Sequence, residues 1–121
     1  MPLFVVHEHH ASRLHWDLRL EHNGVLKSWA VPKQPPLKKG IKRLALAVPD
    51  HKKSYATYEG TIPKGQYGAG EVKIWDSGTF ETVEKTATKW HVTFSGKKLV
   101  GDYTLIRFTK AGDKQWLFFK I

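Results

Sequence analysis

Between residues 14 and 31 the chain alternates strictly. His15, Asp17, Arg19 and Glu21 share one parity, and Trp16, Leu18 and Leu20 share the other. A period of two belongs to a β-strand, whose side chains point alternately to opposite faces. Asn23-Gly24 comes next, a pair suited to a two-residue hairpin turn because both turn positions need positive φ. The pattern predicts a hairpin of Leu14 to His22 and Val25 to Val31, ended by Pro32. The turn sets the register. His22 then faces Val25, Leu18 faces Trp29 and Trp16 faces Val31, which makes one apolar face. On the other face Asp17 lies opposite Ala30 and Arg19 opposite Ser28. Small residues opposite large polar ones leave room for a pocket, whereas a core would fill it.

Alternation resumes over residues 41–48. Leu44, Leu46 and Val48 form the expected apolar side, and Arg43, Ala45 and Ala47 the side that shares the polar groove. Pro49-Asp50-His51 closes this strand and sets His51 at or just beyond its end. Further strands are predicted at 71–75, 79–83, 90–94, 101–108 and 115–121. Residues 31–36 read as a proline-rich loop. Residues 59–70 are glycine-rich and too punctuated for regular structure. Helix is limited to short candidates at Lys38-Lys39 and 84–89. Many short strands with frequent turns predict a mostly β, single-domain, antiparallel β-barrel-like fold with little helix.

Composition narrows the class. A length of 121 residues suits one domain with a single core, and 40% hydrophobic with 12% aromatic residues argues against disorder. No apolar run approaches the roughly 18 residues of a membrane span, and the N-terminus lacks the features of a signal peptide. The absence of cysteine removes disulfides and thiolate metal sites. A cytoplasmic location away from membranes fits. The net charge of +9 favours a polyanionic partner, most often nucleic acid, although the lysines are spread along the chain as on a solubilising surface. Histidine is concentrated instead: six of the seven precede residue 52.

His9, His15 and Asp17 are the candidate metal ligands, since two imidazoles and a carboxylate make a three-point site with open positions. Spacing puts His15 and Asp17 on one face; His9 has to arrive from the preceding turn or strand. Arg19, Lys33 and Arg43 are cations suited to phosphate. His51 titrates near neutrality and suits a proton donor that is not a ligand. Tyr55, unaided, reads as a core or surface residue. The loop at 65–70 can offer backbone amides to a phosphate or simply form tight turns.

Several motifs in order match a known family. They are the runs at 9–21 and 24–33, Lys42-Arg43-Leu44-Ala45, Asp50-His51 with Tyr55, the run at 59–70, and Trp75-Asp76-Ser77-Gly78-Thr79. Together they resemble the 3′-phosphoesterase domain of bacterial ligase D, an enzyme of end-joining repair. The resemblance implies a manganese-dependent enzyme acting on DNA or RNA/DNA 3′ ends of a primer-template. A phosphodiesterase step removes a terminal ribonucleoside, and a phosphomonoesterase step removes the remaining 3′-phosphate. It implies metal ligands at His9, His15 and Asp17, and phosphate-binding and catalytic groups at Arg19, Lys33, Arg43, His51 and Tyr55. His7 joins the substrate-binding set, at a position where the family commonly has glutamine; Pro49 stands where it often has an acidic residue. The chain begins almost at the motif and shows no ligase or polymerase region, which suggests a stand-alone enzyme with those partners acting in trans. Two alternatives stay open. One is a basic β-barrel that binds nucleic acid without cleaving it. The other is a facial-triad iron oxygenase.

Overall fold

The computed structural model describes residues 1–108 and 114–121. It contains β1 (Leu3–His10), β2 (Leu14–His22), β3 (Val25–Val31), β4 (Lys42–Lys52), a 3-10 helix (Lys53–Thr57), β5 (Gly60–Ile62), β6 (Gly70–Lys85), β7 (Lys89–Ser95), β8 (Val100–Arg107) and β9 (Gln115–Lys120). Eight strands close into an antiparallel ring in the order β1-β2-β3-β4-β9-β8-β7-β6, with β6 pairing back onto β1. Closure leaves the ring without free edges. β5 lies outside it, on the first residues of β6.

The fold is thus the expected mostly β barrel with little helix, with several differences of detail. β1 is absent from the predicted strands; its apolar run Phe4-Val5-Val6 shows no alternation because both of its faces are covered. The two strands expected at 71–75 and 79–83 are one 16-residue strand, which pairs with β1 and β5 first and with β7 further along. Residues 60–62 form a short strand inside the segment expected to be irregular. Neither helix candidate is helical: Lys38-Lys39 lies where a bend passes into a turn, and residues 84–89 are divided between β6, a bend and β7. The helix found is Lys53–Thr57.

The β2–β3 register is the one the Asn23-Gly24 turn dictates, with φ of 53° and 81° at the two turn residues. Leu18, Leu20, Trp29 and Val31 point into the barrel and meet Phe4, Val6, Phe80, Trp90, Phe94, Tyr103 and Phe118. β4 presents the opposite face from the one expected. Ala45 is fully buried in the core while Leu44 is exposed. The reason is volume. Ala47 pairs with Trp29 and Ala45 with Trp116, whose indole rings meet edge-on at 5.8 Å inside the barrel. The alanines leave space for tryptophans, not for a polar groove.

The outer face of β1–β4 is covered in its turn. After β4 the chain folds back across it, and Ala56 and Tyr55 pack on Val5, Leu26 and Ile74 in a second, smaller apolar cluster. Gly70 lets this cover rejoin the barrel tightly. A Cβ there would lie 2.3 Å from the His10 carbonyl oxygen, so no side chain fits. No helix among the described residues is long and apolar enough to cross a membrane.

Candidate active site

The polar face of the β1–β2 pair lies beneath this cover. His9 is paired with His15, and His7 with Asp17, in the antiparallel ladder. His9 Nδ1 lies 3.2 Å from His15 Nε2 and 3.4 Å from Asp17 Oδ2, and His15 Nε2 lies 3.3 Å from Asp17 Oδ1. The other ring nitrogens are committed. His9 Nε2 donates to the Gly68 carbonyl at 2.8 Å, and His15 Nδ1 to the Arg13 carbonyl at 3.2 Å. Both rings therefore turn lone pairs toward one another and toward a carboxylate. Carbonyls behind metal-binding histidines fix the tautomer in this way. Facing lone pairs repel unless a proton or a cation stands between them. The His15 imidazole is held above its ordinary range, first by its hydrogen bond to Asp17, so the site favours positive charge at this point. Burial pushes the Asp17 carboxyl up, but the His15 hydrogen bond and the Arg19 charge outweigh it and keep it low. His9, His15 and Asp17 can hold a metal ion, and among the described residues they are the one group of His and acidic side chains found close enough to do so.

Arg19 organises the rest. It is buried, at 3% exposure. Its Nε donates to His7 Nδ1 at 3.1 Å, Nη1 to Ser28 Oγ at 2.9 Å and His51 Nδ1 at 3.0 Å, and Nη2 to Asp17 Oδ2 at 3.4 Å. A guanidinium has five N–H donors, so these four bonds leave one for a ligand. The guanidinium also lies over the Tyr55 ring, 4.9 Å from its centroid. Arg19 cannot accept, so His7 and His51 must each offer it a lone pair. His7 donates from Nε2 to the Tyr58 carbonyl at 3.0 Å, and burial together with Arg19 lowers its pKa to about 4. It is a neutral prop behind Arg19 and does not line the cavity.

His51 owes its position to an irregularity. Ser28 pairs with Val48 but Leu26 with His51, so β4 carries one extra residue there. A bulge of this kind reverses the parity of the residues beyond it. Arg43, Ala45 and Ala47 face inward, yet His51 faces outward beside Val48 over the same cavity. With Nδ1 accepting from Arg19, neutral His51 carries its proton on Nε2. Burial, reinforced by Arg19, holds its pKa below the usual imidazole value.

The cavity measures about 440 Å³, and His9, His15, Asp17, Arg19, His51 and Tyr55 line it, with Ala30 as the small wall residue opposite Asp17. The DNA Ligase D 3′-phosphoesterase domain matches residues 7–107. The multifunctional non-homologous end joining protein LigD of Pseudomonas aeruginosa is 47% identical over 123 residues, covering 97% of this chain and 15% of that protein. Its counterpart from Mycobacterium tuberculosis is 50% identical over 119 residues, covering 94% of this chain and 15% of that protein. The chain belongs to the DNA ligase D 3′-phosphoesterase domain family. It spans about 15% of the length of these relatives.

Asp76, in the 75–79 run, is buried and accepts from the backbone N–H groups of Lys97, Lys98 and Leu99 at 2.8–3.0 Å. It shapes the β7–β8 turn and is scaffold for the phosphoesterase barrel. Glu59 likewise accepts from the Ile74 amide at 2.9 Å and pins the cover to β6. Three expected site residues, His7, Arg43 and Lys33, are not among the cavity residues; His7 stands behind Arg19 as described. Arg43 lies on the inward parity of β4, paired with Phe118, and donates from Nε to the Gln34 carbonyl at 2.9 Å. It ties the proline-rich loop to the barrel end, where Tyr103 also donates to the Pro36 carbonyl. Lys33 is exposed in that loop and is not among the cavity residues. Sequence reasoning missed the hydrogen-bonding roles of Ser28 and of the Tyr58 and Gly68 carbonyls. The small residue opposite Arg19 was a usable signal for Ser28; backbone acceptors carry none.

Proposed function

We propose that this protein is a metal-dependent phosphoesterase that heals DNA 3′ ends, removing a terminal ribonucleoside and then a 3′-phosphate. The observation that carries the reading is the convergence of two oriented imidazole lone pairs and the Asp17 carboxylate beside the Arg19–His51 pair in one cavity. Two nitrogens and a carboxylate suit several divalent metals; manganese follows from the family resemblance. When bound, the metal supplies Lewis acidity and a nucleophile activated at neutral pH.

The chain's own residues supply the rest. Arg19 provides a fixed positive charge and one free N–H for the phosphate, preorganised by its four bonds. His51 presents Nε2–H to a phosphate oxygen or to the departing oxygen. Tyr55 packs against His51 with centroids 4.7 Å apart and ring planes tilted by 34°, and limits its rotation. In the diesterase step water adds at phosphorus and the bond to the terminal 5′-oxygen breaks; that oxygen takes a proton, the ribonucleoside departs, and a 3′-phosphate is left. In the monoesterase step a second water adds at phosphorus, the bond to the 3′-oxygen breaks, inorganic phosphate departs, and the 3′-oxygen takes a proton to become the 3′-hydroxyl. Separate ligase and polymerase activities acting on that hydroxyl belong to the same proposal.

The test is a 5′-labelled primer-template ending in one ribonucleotide, incubated with manganese or with chelator. The expected product ladder is a shortened 3′-phosphate end followed by a 3′-hydroxyl end, with chelator stopping both. An unchanged primer in manganese overturns the reading and leaves the passive nucleic-acid binder. The oxygenase expectation has the same donor set but is set aside by family membership.

A further inference from the structure

Tyr67 stands apart from every other aromatic side chain. It is 79% exposed, and among the described residues it is the one exposed aromatic. Trp29 is in the barrel core and Trp16 packs against it, so neither can stack on a ligand. Exposure alone means little, but Tyr67 also lines the cavity that holds His9, Asp17 and Arg19. Its backbone lies in hydrogen-bonded turns. Gln66 N donates to Pro63 O at 3.3 Å and Ala69 N to Gln66 O at 3.1 Å, forming two consecutive turns. Gly65 and Gly68, on either side, have φ of 87° and 77°, which glycine adopts without strain. The Gly68 carbonyl, next in sequence, is the one that orients His9. A loop of two hydrogen-bonded turns therefore holds a bare aromatic ring at the mouth of the proposed phosphate site.

We infer that Tyr67 is a stacking platform for a nucleobase flanking the scissile phosphate. The inference rests on the phosphoesterase reading. A base has a π-face whatever its identity, and aromatic stacking is sequence-tolerant. Such a contact suits an enzyme that must seat ends of any sequence. Two bases are candidates, that of the departing ribonucleoside and that of the residue retained at the new end.

The experiment compares wild type, Tyr67→Ala and Tyr67→Trp on four primer-template ends. Two are the ribonucleoside end and the 3′-phosphate end; the other two are the ribonucleoside end with an abasic residue at the terminal or at the penultimate position. Tyr67→Ala is expected to raise KM about fivefold or more on ends that carry the stacked base, the low end of what one stacked base contributes. kcat should change less, and Tyr67→Trp should restore KM. A loss that disappears when only the terminal base is removed assigns the contact to the departing nucleoside. A loss that persists on the 3′-phosphate end and disappears with the penultimate base assigns it to the retained residue. An unchanged KM, or an equal loss on every abasic end, overturns the inference. Wild-type activity on the 3′-phosphate end reports separately on the phosphoesterase reading.

Discussion

Two His–Asp pairs of similar spacing lie on the barrel wall, each with a half-buried imidazole, and they differ in the burial of the carboxylate and in what surrounds it. His15 Nε2 is 3.3 Å from Asp17, and His91 Nε2 is 3.4 Å from Asp102. The first pair lies along one strand, β2, and the second bridges the neighbouring strands β7 and β8. The Asp17 side chain is 9% exposed and the Asp102 side chain 46%. Asp17 sits under the 53–70 cover, with His9 close enough to complete a three-point set and with carbonyls turning both imidazoles inward. Asp102 has Thr93 donating to it at 2.7 Å, and no third ligand is found there among the described residues. Chemistry of this kind needs a dry, oriented set of groups, not merely the right residue types. The cover makes the difference, and it comes from a segment with little regular structure.

The sharpest way to break the comparison is to delete one histidine from each pair. His15→Ala should abolish release of phosphate from a 3′-phosphate end and sharply weaken manganese binding measured by calorimetry. His91→Ala should leave both near wild type. His15 is the better choice than Asp17 for this test. Removing Asp17 would also leave the buried Arg19 charge uncompensated, at a cost of roughly 3–5 kcal/mol, and loss of activity could then reflect unfolding. Full activity in His15→Ala would refute the metal assignment and put the two pairs on equal terms.

The contrast also explains what could be read from the sequence. The β2–β3 hairpin is legible to the residue, because a two-residue turn and strict alternation leave one register. His15, Asp17 and Arg19 come with it. β4 misleads because alternation gives parity but not direction: Leu44, Leu46 and Val48 look like a core face until the volumes of Trp29 and Trp116 are taken into account. His51 is expected over the right groove by a wrong route. The bulge at Leu26–Ser28, not a shared parity with Arg43, turns it outward. Arg19 is expected simply as a cation for phosphate, and its four internal bonds make it the hub that holds His7, Ser28, His51 and Asp17 together. The cover is the least legible part. Two of its anchors are the Gly68 and Tyr58 carbonyls, which every residue type possesses, and a third, the Glu59 carboxylate on the Ile74 amide, has no pattern to announce it.

His51 sharpens the comparison from inside the site. If the covered pair differs from the exposed one by having a donor beside the metal set, then His51→Ala should keep metal affinity and lose turnover. General acid–base groups contribute of order 10²-fold or more, so a kcat about a hundredfold lower is expected at unchanged manganese affinity. The geometry behind this is the Arg19–His51 bond of 3.0 Å, which holds the ring beside the carboxylate's partner without making it a ligand. A metal affinity reduced as far as in His15→Ala would make His51 a ligand and undo the division of labour.

The smallest effect is expected at the exposed pair. Asp102→Asn keeps the shape of the side chain and removes its charge. The Thr93 hydrogen bond, followed by contact with His91, holds the Asp102 carboxyl below its ordinary range. A folded-state pKa below the unfolded value means that the charged form favours the fold. Its contribution is full above the unfolded carboxylate pKa and fades as the pH falls through the folded one. Wild type should therefore be slightly more stable than Asp102→Asn at neutral pH, and the two should converge in acid. Surface pairs contribute little and are screened by salt, so added salt should narrow the gap as well. Urea unfolding at two pH values and two salt concentrations reads this directly, and phosphatase activity should not change. A drop in activity on removing Asp102 would mean that the exposed face of β8 communicates with the covered site, and the cover would no longer suffice to explain why one His–Asp pair is a centre and the other is not.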